Sequence, residues 1–133
     1  MSHDPLAVAD AFSAAIKARS EANLAAVYAD DAVIWNNATQ TDMTKAENVA
    51  ILGQLFRISR ELEYVDIRRR RIDGGFVQMH RLVGTFADGV DMPDLAACLV
   101  VETRAGLITR IDEYFDLSVY GPVFERISAL EPT

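Results

Sequence analysis

Cysteine is nearly absent: Cys98 is the only one, so no internal disulfide framework can hold the chain, and a reducing, cytoplasmic location is the simplest expectation. Histidine is almost as scarce. His3 and His80, with one thiol, make no cluster at metal-ligand spacing, and no metal is expected. No apolar run approaches the ~20 residues that cross a bilayer, and the opening Met-Ser-His-Asp-Pro has neither the basic nor the apolar region of a secretory leader. There is no Gly-x-Gly-x-x-Gly and no phosphate-binding loop, so no nucleotide cofactor is indicated. Positive charge is also short. Thirteen Lys and Arg against twenty Asp and Glu leave a net charge of -7, which disfavours nucleic acid as a partner.

What the sequence does have is core-forming material. Half of its 133 residues are hydrophobic and a quarter charged, the balance of one globular domain spanning 1–133. Leu6, Ala9, Phe12, Ala15 and Ile16 recur at helical spacing behind Asp4-Pro5, an N-cap followed by proline at the first helical position. A second helix is expected over 21–28. The β-branched and aromatic run 32–37 predicts a strand, 38–43 a loop, and Thr44 with Glu47 the capping box of a third helix reaching about Arg60. From Leu62 the period becomes two, predicting strands over 62–72, 76–86, 95–103 and 107–116 joined by turns at Asp73-Gly74-Gly75, Asp88-Gly89 and Arg104-Ala105-Gly106. A short closing helix follows over 123–130. Arg68 to Arg71 stand in one strand, where alternation splits their charge between two faces. Ion pairs with Glu61, Glu63 and Asp66 fit them better than a nucleic-acid patch, with an anion clamp by Arg69 or Arg71 as the alternative.

This order, together with Tyr28-Ala29-Asp30-Asp31-Ala32-Val33 leading into Trp35-Asn36-Asn37, then Val77-Gln78-Met79-His80 and Gly106-Leu107-Ile108-Thr109-Arg110-Ile111-Asp112-Glu113-Tyr114-Phe115-Asp116, resembles the nuclear-transport-factor-2-like superfamily. The likeness is to its SnoaL-like and limonene-epoxide-hydrolase-like branch, and it covers nearly the whole chain. It implies an α+β fold, a cone-shaped curved antiparallel sheet wrapped around three helices, with a small-molecule pocket at the mouth and a homodimer through the outer sheet face bearing Arg110, Asp112 and Tyr114. The residues of the steroid isomerases do not carry over: their base falls on Asn36, their tyrosine on Phe12 and their protonated aspartate on Cys98. In the epoxide hydrolases the carboxylate before Tyr-Phe-Asp holds the attacking water, and that residue here is Glu113. Their arginine and second aspartate should fall near 80–83, where His80 and Arg81 stand without an acid.

Strand alternation adds its own reading. With Glu113 facing into the cone, Thr109, Ile111 and Phe115 share its face, and pairing counted from the Ala105-Gly106 turn sets Cys98 opposite Glu113, so that Ala96, Cys98 and Val100 also face inward. A carboxyl among apolar groups acquires a raised pKa suited to acid–base work near neutrality. Gln78 and His80 are placed inside because a buried histidine is commoner than a buried arginine. On the first strand either Asn36, or Trp35 and Asn37, lines the pocket. Glu113 and His80 are the expected acid–base pair, with Asn36, Asn37, Trp35, Gln78 and Cys98 binding substrate, in a cofactor-independent cyclase, isomerase or epoxide hydrolase acting on a small apolar carbonyl or epoxide compound. The alternative is a non-catalytic small-molecule-binding or dimeric assembly protein built on the same cone.

Overall fold

The computed structural model describes residues 4–130, so His3 lies outside the described residues. The elements run α1 (Pro5–Ala18), α2 (Glu21–Val27), β1 (Tyr28–Asn36), β2 (Met43–Thr44), α3 (Lys45–Ile58), β3 (Ser59–Ile72), β4 (Gly75–Phe86), β5 (Leu95–Arg104), β6 (Leu107–Phe115) and α4 (Gly121–Ser128), with one 3-10 turn over Leu117–Val119 before α4. Local chemistry sets the helix starts. The Asp4 carboxylate accepts the Leu6 amide at 3.0 Å, and Thr44 and Glu47 form the reciprocal capping box the sequence predicts.

All six strands form one sheet in the order β2-β1-β6-β5-β4-β3. Every pairing is antiparallel except β1 with β6, which is parallel, so the sheet is mixed where an antiparallel one was expected. The long β3 to β6 meander pairs neighbours in sequence. Joining β1 to β6 instead brings together distant segments, and no local pattern announces it. Strand β1 also begins at Tyr28, four residues before the expected start, and β2 occupies the end of the stretch expected to be loop.

Two of the four register shifts among the described strands bend the long meander. In β3 the register shifts between Val65 and Arg68, with Asp66 at φ +52°, and in the β5–β6 pair it shifts between Glu102 and Thr103. Each inserts a residue into one strand, bending it and steepening its twist. The hollow side of the curl is filled by α1, α2 and α3. Ala9, Phe12 and Ile16 from α1 and Leu24 from α2 meet Phe76, Leu82, Leu99, Val101, Ile108 and Ile111 from the strands in one core. Across the α3–β3 junction the Arg19 guanidinium donates to the carbonyl of Ser59 at 2.5 Å, fixing the end of α1.

The arginine run pairs with α1 rather than with β3. Arg71 makes a two-pronged contact with Asp4 at 2.9 and 3.1 Å, Arg69 reaches Asp10 at 2.5 Å, and Asp66 pairs with Arg81. Glu63 is taken by Lys17.

Candidate active site

Ile111, Glu113 and Phe115 alternate along β6, and the burial of Ile111 puts that face toward the helices. Pairing near the Ala105-Gly106 turn begins as the sequence predicts, Arg104 with Leu107 and Thr103 with Ile108. Thr109 is then the extra residue, its hydroxyl donating to the Glu102 carbonyl at 3.2 Å, and beyond it Leu99, not Cys98, stands opposite Glu113. One inserted residue turns every later β5 side chain to the other face. Ala97, Leu99 and Val101 are therefore the buried ones, while Ala96, Cys98 and Val100 look outward, the reverse of the expectation.

Glu113 is enclosed among aromatic rings. Its charge acts on Tyr28, Tyr64 and Tyr120, which come from β1, β3 and the segment before α4. Phe12 lies 6.3 Å from the Tyr28 ring and 6.2 Å from the Tyr64 ring, and Phe115 lies 5.1 Å from Tyr120. Among the described residues the carboxyl meets no cation and accepts no hydrogen bond, yet it is not sealed from solvent. Removal from bulk water alone pushes its pKa from 4.5 up to about 7. Both protonation states are thus populated near neutral pH.

The tyrosines are pushed the same way. Burial, reinforced by the Glu113 charge, raises Tyr64 and Tyr28, and lifts Tyr120 to about 12, so all three keep their hydroxyl protons. Tyr28 spends its proton on Asn48 at 2.6 Å. Among the described residues the hydroxyls of Tyr64 and Tyr120 have no partner, and they remain available as donors. Neither was singled out in the sequence. Tyr64 shares the inward parity of Leu62, a readable signal; Tyr120 sits past the last strand, where no periodicity points.

Gln78 and His80 are inside, 1 % and 4 % exposed, on the same face as Phe76 and Leu82. Gln78 is not free to hold a ligand: its amide oxygen accepts from Arg69 Nε at 2.8 Å and its amide nitrogen meets His80 Nδ1 at 2.9 Å. The Tyr64 ring stacks on the imidazole with centroids 3.7 Å apart. Desolvation, and then the Arg69 charge, drive the His80 pKa down to about 4. His80 is therefore neutral at pH 7 and is a poor proton-exchanging complement to Glu113.

Of the two readings left open for the first strand, Asn36 shares a face with Ile34 and pairs in register with Glu113. Its side-chain oxygen is occupied by the amides of Ala38 and Thr39 at 2.9 and 3.0 Å, closing the turn after β1, while its amide nitrogen has no partner among the described residues. Asn37 clamps the Phe115 backbone, donating to its carbonyl at 2.9 Å and accepting its amide at 3.1 Å. Trp35 is on the outer face with its ring 5.2 Å from Tyr114. Cys98 joins it there, in an open depression of about 900 Å³ lined also by Ile67, Met79 and Tyr114. The depression lies across the sheet from Glu113.

Among the described residues no three His, Cys, Asp or Glu side chains gather as a metal site requires, and no helix is long and apolar enough to cross a membrane. No family model matches the sequence, and no curated protein matches it. Solved structures do. A protein of ketosteroid isomerase-like fold from Catenulispora acidiphila, in complex with trimethylamine, superposes with a TM-score of 0.73 at 16% identity, covering 84% of this chain and 87% of that one. An NTF2-like protein of unknown function from Cytophaga hutchinsonii gives 0.70 at 12% identity over 93% of this chain and 97% of that one. The fold is nuclear-transport-factor-2-like. A candidate polyketide cyclase from Pseudomonas putida shares it too, with a TM-score of 0.69 at 20% identity over 85% of this chain and 92% of that one. Within the NTF2-like frame the inner end of β6, where Glu113 stands, faces the helices that close the curl.

Proposed function

We propose that this NTF2-like protein is a cofactor-independent acid–base enzyme in which Glu113 moves the proton, acting on a small, mostly apolar compound that carries a carbonyl or epoxide oxygen. One observation carries the proposal: a carboxyl without cation or hydrogen bond, enclosed by tyrosines and poised with a pKa of about 7. An ionised Glu113 would take a proton from the carbon beside a carbonyl. The C–H electron pair then forms the enolate, whose oxygen accepts hydrogen bonds from the Tyr64 and Tyr120 hydroxyls. The carboxylic acid so formed returns the proton at a carbon conjugated with the enolate, giving isomerisation, or the enolate carbon attacks a second carbonyl within the substrate, whose oxygen takes the electron pair and then the Glu113 proton, giving ring closure. With an epoxide the same carboxylate would instead take a proton from an attacking water as the ring C–O bond breaks, and the alkoxide left by the opened ring would recover that proton from the Glu113 acid. Well-placed proton transfer is worth ~100 to 10,000-fold.

The test is Glu113→Gln, with ligands first captured by native mass spectrometry of the purified protein. Turnover should fall at least ~100-fold, and kcat/KM of the parent should rise with pH through about 7 as the base ionises. Unchanged turnover removes Glu113 from the chemistry. A second reading, a non-catalytic ligand-binding protein, draws on the depression of about 900 Å³ on the outer face, away from Glu113. A captured ligand returned unaltered after incubation supports that reading, and a converted one supports the enzyme.

Two further expectations belong to the proposal. The outer face, with Tyr114 and Val100 exposed beside Trp35, would be covered by a second copy of the chain, and a monomer in light scattering would contradict this. The partly accessible Cys98 thiol suits the reducing cytoplasm, where it stays free.

A further inference from the structure

His80 is held by a chain of contacts that begins outside the pocket. Asp10 on α1 receives Arg69 at 2.5 Å, and Ser13 on the same helix receives it at 3.2 Å. Arg69 Nε then donates to the Gln78 oxygen at 2.8 Å. Since a guanidinium can only donate, the amide cannot be turned the other way round: its oxygen must face Arg69 and its NH₂ must face His80. The 2.9 Å contact from that NH₂ to His80 Nδ1 therefore requires a lone pair on Nδ1. The ring proton is left on Nε2, which has no partner among the described residues and is not sealed from solvent.

We propose that Arg69 is a positioning residue which, through Gln78, locks His80 in the neutral Nε2–H form as a permanent hydrogen-bond donor for a ligand oxygen. The lock rests on and deepens the acid–base reading of the Glu113 site, giving His80 the part of oxygen holder in place of proton carrier. Protonating Nδ1 would set two N–H groups head to head and put a second positive charge beside Arg69. Arg69 repels an imidazolium, the protonated Tyr64 stacked on it supplies no negative charge, and Asp10 is already engaged by Arg69.

The experiment reads the ring, not the reaction. In ¹⁵N-labelled, unliganded protein carrying His3→Gln, so that one imidazole remains, two-bond ¹H–¹⁵N correlation should show the Nε2–H form alone at pH 7. The ring should also fail to titrate across the range where free histidine does. In Gln78→Glu a carboxylate oxygen replaces the donor, so the proton should move to Nδ1 and the ring should titrate at higher pH than in the parent. Arg69→Met frees the amide to turn, and both tautomers should appear. A parent spectrum with the proton on Nδ1, or with mixed tautomers, overturns the lock. So does a Gln78→Glu spectrum identical to the parent's. Because no substrate is used, an inactive or non-catalytic Glu113 site would leave these spectra untouched, and a failed lock would leave the Glu113 pH profile standing.

Discussion

Glu113→Gln keeps the shape of the side chain and deletes only its charge, which makes the enclosure of this carboxyl measurable as stability. In the unfolded chain Glu113 ionises near 4.5, in the folded protein near 7. The folded state therefore holds the proton more tightly, and folding stability contributed by the neutral carboxyl is complete below pH 4.5 and is lost as pH rises toward 7. At ~1.4 kcal/mol per pH unit, the gap corresponds to about 3 kcal/mol of destabilisation of the parent protein above pH 7. Glutamine carries no such penalty. The two proteins should unfold at the same urea concentration at pH 4, and the variant should become the more stable by about 3 kcal/mol at pH 8, or roughly 10 °C in Tm for a domain this size. Carboxylates elsewhere titrate in both proteins and cancel in the difference. Urea and thermal melts at four or five pH values suffice. Parallel stability curves across the whole range would mean that Glu113 is solvated in the native state, and the acid–base proposal would fall with its enclosure.

The remaining expectations follow from single contacts. Tyr64→Phe and Tyr120→Phe each remove a free hydroxyl beside Glu113 and should lower turnover by ~10²- to 10³-fold, the usual loss for one oxyanion donor, measured on the substrate that Glu113 converts. Leu99→Ala, in the core opposite Glu113, should cost about 2–5 kcal/mol in urea denaturation. Asn37→Ala breaks both hydrogen bonds to the Phe115 backbone and should cost about 1–3 kcal/mol, with faster amide exchange at Phe115 as its local signature. Gly75→Ala would set its new methyl group 1.8 Å from the Val101 carbonyl oxygen, so the β4 end must shift and thermal stability should drop even though the backbone there is ordinary for alanine.

What could be read from the residues was whatever repeats locally. Helix α1, the capping box and the four-strand meander declare themselves through spacing, and the parity of β4, with the rarity of a buried arginine, put Gln78 and His80 inside. Glu113 was reachable through the family resemblance, as the carboxylate ahead of Tyr114-Phe115-Asp116, and Ile111 and Phe115 share its face at period two. The failures share a physical cause. A single inserted residue at Thr109 reverses the faces of β5, and nothing in the sequence around a threonine distinguishes a bulge from a continuing strand; Cys98 was misplaced for that reason alone. Asn37 resembles a ligand contact by type, but its amide is consumed by the Phe115 backbone, and Gln78 is consumed in the same way by Arg69 and His80. Tyr64 and Tyr120 come to Glu113 from segments far apart in the chain, a convergence that only the curl of the sheet creates.

The parallel seam between β1 and β6 has a consequence for how the protein comes into being on the ribosome. Strand β1 emerges early, yet the edge it must dock against is the last of the six strands to be made. Until then β1 carries an unsatisfied row of backbone groups, the condition in which nascent chains recruit chaperones or stick to one another. Slowing synthesis just before Leu107 should lengthen that exposure and raise the aggregated fraction, whereas slowing it after Phe115 should leave the yield of folded protein unchanged.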